Sequence, residues 1–429
     1  MEIFTHIPSI IRIFVVFAVI LAAMKLKLHM SVAFLIGVAF MILLFAIPLP
    51  AALKMVFASI IGGKTLSLAL LLLFIMLLSE GMALTGQMNR MLSAFQGLVK
   101  SPFINLAVFP MLTGLLPMVG GAVLSAPMVK EMANKVEIEP AQLSYINYWY
   151  RHVWEFWWPM YPGFLMAVSL IGMPVTRLMA LMFPLAIVII ASGYLPARKF
   201  MPASLGNYEH KPHALRRFLK EAFPLFAVIA AGMIAGAVAA KIFPQWLVAR
   251  EVCLIVSLFF GTIWVLRLGR VPRVRALTLL KNKRLYSMVY VVFAIMIFQG
   301  VLVGSNAAEI LAADLKALNA PPVIVCIVLP FILASLTGIT MAYVGASFPI
   351  IISVVLLMGQ AQLLPAYIVL ALAAGQCGLI LSPTHACLVL SNQYFCTTHT
   401  KVYRYLVPPT LVLFIASLVY FFILRGIFG

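Results

Sequence analysis

The chain has 429 residues, of which 64% are hydrophobic and only 10% charged. A soluble domain is roughly half apolar and a quarter charged, so this chain cannot bury its apolar surface on itself and lipid must solvate most of it. The net charge of +19 does not point to nucleic acid, because Lys and Arg are scattered between apolar runs and form no patch.

Backbone in hydrocarbon must satisfy its own hydrogen bonds, as helix or as closed barrel. The apolar runs are continuous and about 20 residues long, not short and alternating, so the expected fold class is an all-α polytopic membrane protein. The N-terminal run MEIFTHIPSIIRIF leads into a long apolar stretch without a cleavage signature and reads as a first span. In the first half, spans are expected near 9–26, 29–48, 65–86, 141–170 and 174–196. Before the fourth lies a split segment, 102–133, broken by LLPMVGGA. Its arms are each too short to cross hydrocarbon, which predicts a re-entrant hairpin.

The stretch 197–220 is the most polar in the chain and reads as a linker. Beyond it, spans are expected near 222–245, 251–268, 285–304, 364–392 and 404–426, with a second split segment at 321–358 broken by LTGITMAYVGAS. This totals about ten transmembrane helices and two hairpins. Leu112-Thr113-Gly114 is followed, seven residues after its glycine, by Gly121-Ala122, and Leu336-Thr337-Gly338 is followed at the same distance by Gly345-Ala346. The offset, 338 − 114 = 224, also carries Pro159 onto Pro383, and Glu80-Gly81 aligns with Gln299-Gly300 at a slightly smaller offset. An internal repeat follows, 1–196 and 221–429. Five crossings per half is an odd number, so the second repeat is inverted. The loops 197–220 and 267–284 are rich in Lys and Arg and are assigned to the cytoplasm, whereas 305–320 carries Glu309, Asp314 and one Lys316. Both termini then come out non-cytoplasmic.

Inverted repeats with broken helices are the architecture of secondary transporters, because interrupted backbone exposes N–H groups, dipole ends and carbonyls that can hold ions. The first tip holds Thr113, Gly114, Pro117, Gly120 and Gly121 and leads to Ser125; the second holds Thr337, Gly338 and Thr340 and leads to Gly345 and Ser347. A small-residue helix seam is the competing reading. The fourth span of the first half, Tyr150 to Gly163, contains Glu155, Trp158 and Pro159, with Arg151 one helical turn from Glu155 and positioned to pair with it. An interfacial aromatic belt is the alternative. Glu80 and Glu155 are the acids well inside apolar spans, and such carboxylates default to proton or ion pathways. The matching span breaks at Ser382-Pro383-Thr384-His385, and His385 is a candidate proton carrier. His152 and Glu155 form H-x-x-E, a weak metal signal without a second histidine at suitable spacing. The cysteines at 253, 326, 377, 387 and 396 show no CxxC spacing, so neither disulfide, metal nor other cofactor is expected beyond Na⁺ as a coupling ion. No Walker A sequence is present. Gly232 and Gly236 form GxxxG, suited to packing within the chain or in a dimer.

The runs LTGLLPMVGGAVLSAPMV, RHVWEFWWPMYPG and LILSPTHACLVL resemble the bacterial and archaeal membrane proteins of domain-of-unknown-function family 401, over nearly the whole chain. That family is placed in the ion transporter superfamily, with divalent anion/sodium symporters, citrate and C4-dicarboxylate carriers and sodium/proton antiporters. The resemblance implies a scaffold domain, a transport domain carrying two hairpins, an elevator-like motion, a homodimer and a bacterial or archaeal inner membrane location. The Ser-Asn-Thr hairpin tips of the dicarboxylate symporters are missing here, so only the location transfers: Thr113 to Ser125, Trp154 to Pro162, Thr337 to Ser347 and Ser382 to His385. The expected function is cation-coupled transport (Na⁺ or H⁺) of a small anionic solute such as a carboxylate. The alternatives are a sodium/proton antiporter, an intramembrane metal enzyme on His152, Glu155 and His385, and a structural membrane subunit. No enzymatic activity and no nucleic-acid partner are expected.

Overall fold

The computed structural model describes residues 7–95, 98–99, 101–118, 121–133, 138–201, 213–246 and 248–429, and the regular elements among them are helices throughout. In chain order these are α1 (Ser9–Lys25), α2 (Met30–Leu44), α3 (Leu49–Ile61), α4 (Gly63–Leu84), α5 (Gln87–Phe95), α6 (Pro102–Gly114), α7 (Gly121–Ala133), α8 (Pro140–Arg151), α9 (Pro162–Ile171), α10 (Val175–Ser192) and α11 (Tyr194–Ala197). Then follow α12 (Ala214–Ile242), α13 (Ala249–Leu268), α14 (Arg273–Leu277), α15 (Lys283–Gly304), α16 (Ala307–Ala317), α17 (Pro322–Thr337), α18 (Thr340–Leu357), α19 (Leu364–Ile380), α20 (Ala386–Tyr394) and α21 (His399–Phe428). Among the described residues, eight helices are long and apolar enough to cross a bilayer: 63–84, 175–197, 214–242, 249–268, 283–304, 340–357, 361–380 and 399–428. The chain is a polytopic helical membrane protein.

The helix boundaries have local causes. Proline opens α6, α8, α9 and α17, where a missing N–H is harmless and φ is already helical. Glu139 and Gln142 close a capping box on α8. Gly338, at φ +65°, ends α17 in the left-handed conformation that favours glycine. After Arg151 one 3₁₀ turn (His152–Trp154) follows, and no regular element resumes until Pro162, because Pro159 and Pro162 have no N–H to give. Pro383 interrupts the second long segment between Ile380 and Ala386 in the same way.

Several expectations need correction. The spans expected at 9–26 and 29–48 form α1 and α2, of 17 and 15 residues, shorter than the roughly 20 a straight crossing takes. Helices α3, α5 and α16 were not anticipated; α5 and α16 carry polar residues that break the apolar signal. The second break is confined to Gly338 and Ile339, so Gly345 and Ser347 lie inside α18 and not at a tip. The first tip stays open over more residues because Pro117 cannot join a helix there. Gly120 and residues 202–212 of the expected linker lie outside the described residues.

Two sets of helices pack together. In one, α1 lies on α2, α12 on α13, α2 on α15 and α13 on α4. Helix α5 docks on α12, where Arg90 Nε lies 3.2 Å from Glu221 Oε1, and α16 docks on α1, where the Ser9 amide donates to Asp314 at 3.1 Å. Gly232 and Gly236 let α12 close on the Leu254 and Arg250 backbones of α13, so GxxxG serves a contact inside the chain. In the other set, α6 and α7 form one hairpin and α17 and α18 another; α8 packs on α6, α19 on α17, α7 on α20 and α9 on α18. The interior holds α19, with 89% of its span buried, whereas α21 is 22% buried and lies at the periphery.

Candidate functional site

Each interrupted helix is tied to the end of its neighbouring hairpin arm. Tyr161 donates its hydroxyl to Gly114 O at 2.6 Å, and His385 Nδ1 lies 2.7 Å from Gly338 O. The two bonds are equivalent under one shift, 161 + 224 = 385 and 114 + 224 = 338. A helix end leaves carbonyls unpaired, and these side chains satisfy them away from water.

The two interruptions also meet each other. His152 Nε2 lies 2.8 Å from His385 Nε2, and Gln376 Nε2 donates to His152 O at 3.2 Å. Tyr148 donates to Leu379 O and Ile380 O at 3.2 and 3.1 Å, which satisfies the end of α19. His152 Nδ1 is 2.6 Å from Tyr148 O. Thr340, the first residue of α18, donates to Glu155 Oε1 at 2.6 Å, and Glu155 Oε2 lies 3.8 Å from His152 Nε2. Gly163 permits this approach, since a Cβ there would sit 2.4 Å from Thr340 Cγ2.

Arg151 does not pair with Glu155. Its guanidinium donates to Thr113 O and Met118 O at 2.9 and 2.8 Å, at the end of α6 and in the tip beyond it. The reason is geometric: the chain leaves helical geometry after Arg151, so the i,i+4 relation that would face the two side chains is lost. A cation 3% exposed is thereby held by backbone carbonyls. Gly121 allows it, since a Cβ would lie 2.4 Å from either terminal nitrogen.

Trp154 and Trp158 donate to Met111 O and Leu115 O, at 2.8 and 3.1 Å, and Trp157 bonds within its own turn. Trp157 and Trp158 are buried and the three rings touch, so this cluster packs inside the protein and braces the first hairpin. Pro159 is buried beside it, Pro117 is half-buried and Pro383 exposed.

Other expected residues are engaged differently. The Thr113 hydroxyl bonds back to Pro110 O, Thr337 to Leu333 O and Ser347 to Tyr343 O, inside their own helices. Gly345 makes room for Ile295 and Met166. Ser382 and Thr384 hydroxyls lie 2.9 Å apart beside Gly338, with Thr384 exposed. Ser125 donates to Asn147 Oδ1 at 2.5 Å, and Asn147 reaches on to Ala122 O and Ser391. Glu80 is half-buried near the end of α4 and has no hydrogen bond or ion pair with the group around Glu155.

Residues outside the expected site complete it, Asn392 among them, whose place in the sequence predicts only the cytoplasmic end of its span. Asn147, Ser144, Ser391 and Asn392 form a buried network joining α7, α8 and α20, with Ser144 donating to Asn392 at 2.6 Å. Gln376 is fully buried and its Oε1 has no donor among the described residues. Cys387 brings its sulfur within 4.8 Å of a ring nitrogen of both His152 and His385. The sequence carries one signal for this: His152 and Gln376 are separated by 224 residues, the same spacing as the matched Gly114 and Gly338. No curated protein matches the chain. Over residues 8–423 it matches the family described as Protein of unknown function (DUF401), and the chain belongs to that family.

Proposed function

We propose that the protein is a cation-coupled secondary transporter of a small anionic solute such as a carboxylate, working by alternating access. The observation that carries this reading is the meeting of two interrupted helices at one buried polar group, where the matched Tyr161–Gly114 and His385–Gly338 bonds tie each interruption to a hairpin end. Irregular backbone at membrane depth is tolerated where it is buried in protein or lines a cavity, and paired broken helices are the transporter solution.

The two halves, 1–196 and 221–429 with 197–220 between them, are read as inverted repeats. Support comes from reciprocal packing: α1–α2 corresponds to α12–α13, α2–α15 to α13–α4, α5–α12 to α16–α1, and α7–α20 to α18–α9. On this reading α1–α5 and α12–α16 are the scaffold, the hairpins and broken helices move against it in an elevator-like manner, and two chains form a homodimer. The basic 267–284 loop favours a cytoplasmic face for that side, with both termini outside, in a bacterial or archaeal inner membrane.

Solute specificity follows from charge. Buried Arg151 is a fixed positive group, and α9, α18 and α20 begin without side-chain caps, leaving N–H groups for an anion. This favours an anionic solute over a sodium/proton antiporter, which needs no such group. Glu155 and the unpartnered Gln376 Oε1 are the acceptors for Na⁺ or H⁺. A carboxylate within the hydrocarbon costs roughly 2.5–3.5 kcal/mol on insertion scales, which the Thr340 hydroxyl and a bound cation would offset. The test is uptake of carboxylates by proteoliposomes under imposed Na⁺ or pH gradients, after a thermal-stabilisation screen selects the solute. Uptake that ignores both gradients would refute coupling, and Na⁺/H⁺ exchange without any solute would favour the antiporter.

A further inference from the structure

Outside the Arg151 and Glu155 functions, the His152–His385 contact poses a problem of its own. Both Nδ1 atoms face backbone carbonyls, at 2.6 Å from Tyr148 O and 2.7 Å from Gly338 O. A carbonyl only accepts, so each ring carries its proton on Nδ1, and a neutral imidazole then has a bare lone pair on Nε2. These two Nε2 atoms point at each other across 2.8 Å. With both rings neutral these lone pairs repel at that separation, so a cation, a shared proton or a metal ion, belongs between them. The Cys387 sulfur, within 4.8 Å of a ring nitrogen on each histidine, is the third donor.

We propose that His152, His385 and Cys387 form a three-ligand site for a borderline-soft divalent transition-metal ion of the Zn²⁺ class. Imidazole and thiolate select Zn²⁺, Co²⁺ or Ni²⁺ over Ca²⁺ and Mg²⁺, which take oxygen ligands. Histidines that bind metal through one nitrogen characteristically donate the other N–H to a carbonyl or carboxylate, and both do so here. Tetrahedral Zn–N bonds of about 2.0–2.1 Å place two nitrogens roughly 3.3 Å apart, so the rings part by about half an ångström on binding. The Cys387 thiolate and Glu155, 3.8 Å from His152 Nε2, set two negative charges against the dication and the buried Arg151 guanidinium, which hydrogen-bonds Cys387, so one positive charge remains for an anionic fourth ligand. Three protein ligands leave the fourth position of a tetrahedral ion to an exogenous group. The ion joins the first interrupted helix, through His152, to the second, through His385 and Cys387.

The full-length protein, purified in detergent and stripped with chelator, is titrated with Co²⁺. The expected result is one Co²⁺ per chain, intense tetrahedral visible bands, a near-ultraviolet thiolate-to-cobalt band, and displacement by Zn²⁺. Cys387→Ser, nearly isosteric, loses the thiolate band and keeps weaker tetrahedral bands; His152→Ala and His385→Ala bind at least about tenfold more weakly. Zn²⁺ raises the unfolding temperature of the native protein and not of the histidine variants. An octahedral spectrum, no saturable binding, or a thiolate band that survives Cys387→Ser overturns the site, and the first two leave a shared proton between the rings. No gradient or solute enters the assay, so its failure is separable from failure of the transport reading.

Discussion

Thr340 donates its hydroxyl to Glu155 Oε1 at 2.6 Å, a bond from the start of the second hairpin's return arm to the interrupted helix of the other half. It fixes one carboxylate oxygen and leaves the other toward His152. Glu155→Gln keeps the shape and removes the charge. Gradient-driven uptake in proteoliposomes is expected to disappear in this variant while solute-induced thermal stabilisation persists. Thr340→Val deletes a hydrogen bond to a charged group, worth about 1.5–3 kcal/mol, and should slow uptake about tenfold or more. Native rates in Glu155→Gln would remove Glu155 from the coupling role.

Glycine substitutions separate close packing from backbone strain. A Cβ on Gly114 would lie 2.3 Å from Arg151 O, and one on Gly338 would meet the His385 backbone at 2.9 Å with φ at +65°. Each Gly→Ala change is expected to lower stability by about 1–3 kcal/mol from overpacking, with about 1–2 kcal/mol more at Gly338 from its left-handed conformation. Gly172 also has a positive φ, +70°, but nothing within 4 Å of its Cβ position. Gly172→Ala should therefore show the backbone effect alone, as thermal unfolding in detergent would reveal by ranking the three.

The GxxxG glycines pack α12 on α13. Gly232→Val would drive side-chain atoms into Leu254, whose Cα already lies 3.0 Å from a Cβ at that position. A fall in unfolding temperature with unchanged mass by light scattering is the expected outcome. Loss of an oligomer with intact monomer stability would move the glycines to an interface between chains.

Membrane orientation is open to chemical labelling. In a background with the five native cysteines replaced by Ser, Arg275→Cys should react with an impermeant maleimide only after the membrane is opened from the cytoplasmic side. Glu309→Cys, in the first turn of α16, should react in intact cells. Both sites labelling from one side would overturn the crossing by α15 and the orientation assigned to the second half.

The elements legible in the sequence are those with strong local causes. The arms of both hairpins, the break at Pro383 and the one near Pro159 fall where proline, glycine and apolar run length put them. Helix α16 escaped notice because its apolar face is paired with Glu309, Asp314 and Lys316, and a run-length reading rejects such a stretch. Gly345 matches Gly121 in spacing but not in place: Gly121 opens α7, whereas α18 already starts at Thr340, because no proline stands close after Gly338 to hold the chain out of a helix.

By itself the sequence determined the apolar runs, the helical class and the places where helices fail, since each depends on neighbours along the chain. Which side chains share the resulting gap was decided only by the tertiary structure. Arg151 turned from Glu155 to Thr113 O, Thr340 took Glu155 instead, and His152 met His385 across 233 residues. The physical reason is that unpaired carbonyls at a helix end must find donors wherever packing supplies them, and packing is a property of the folded chain.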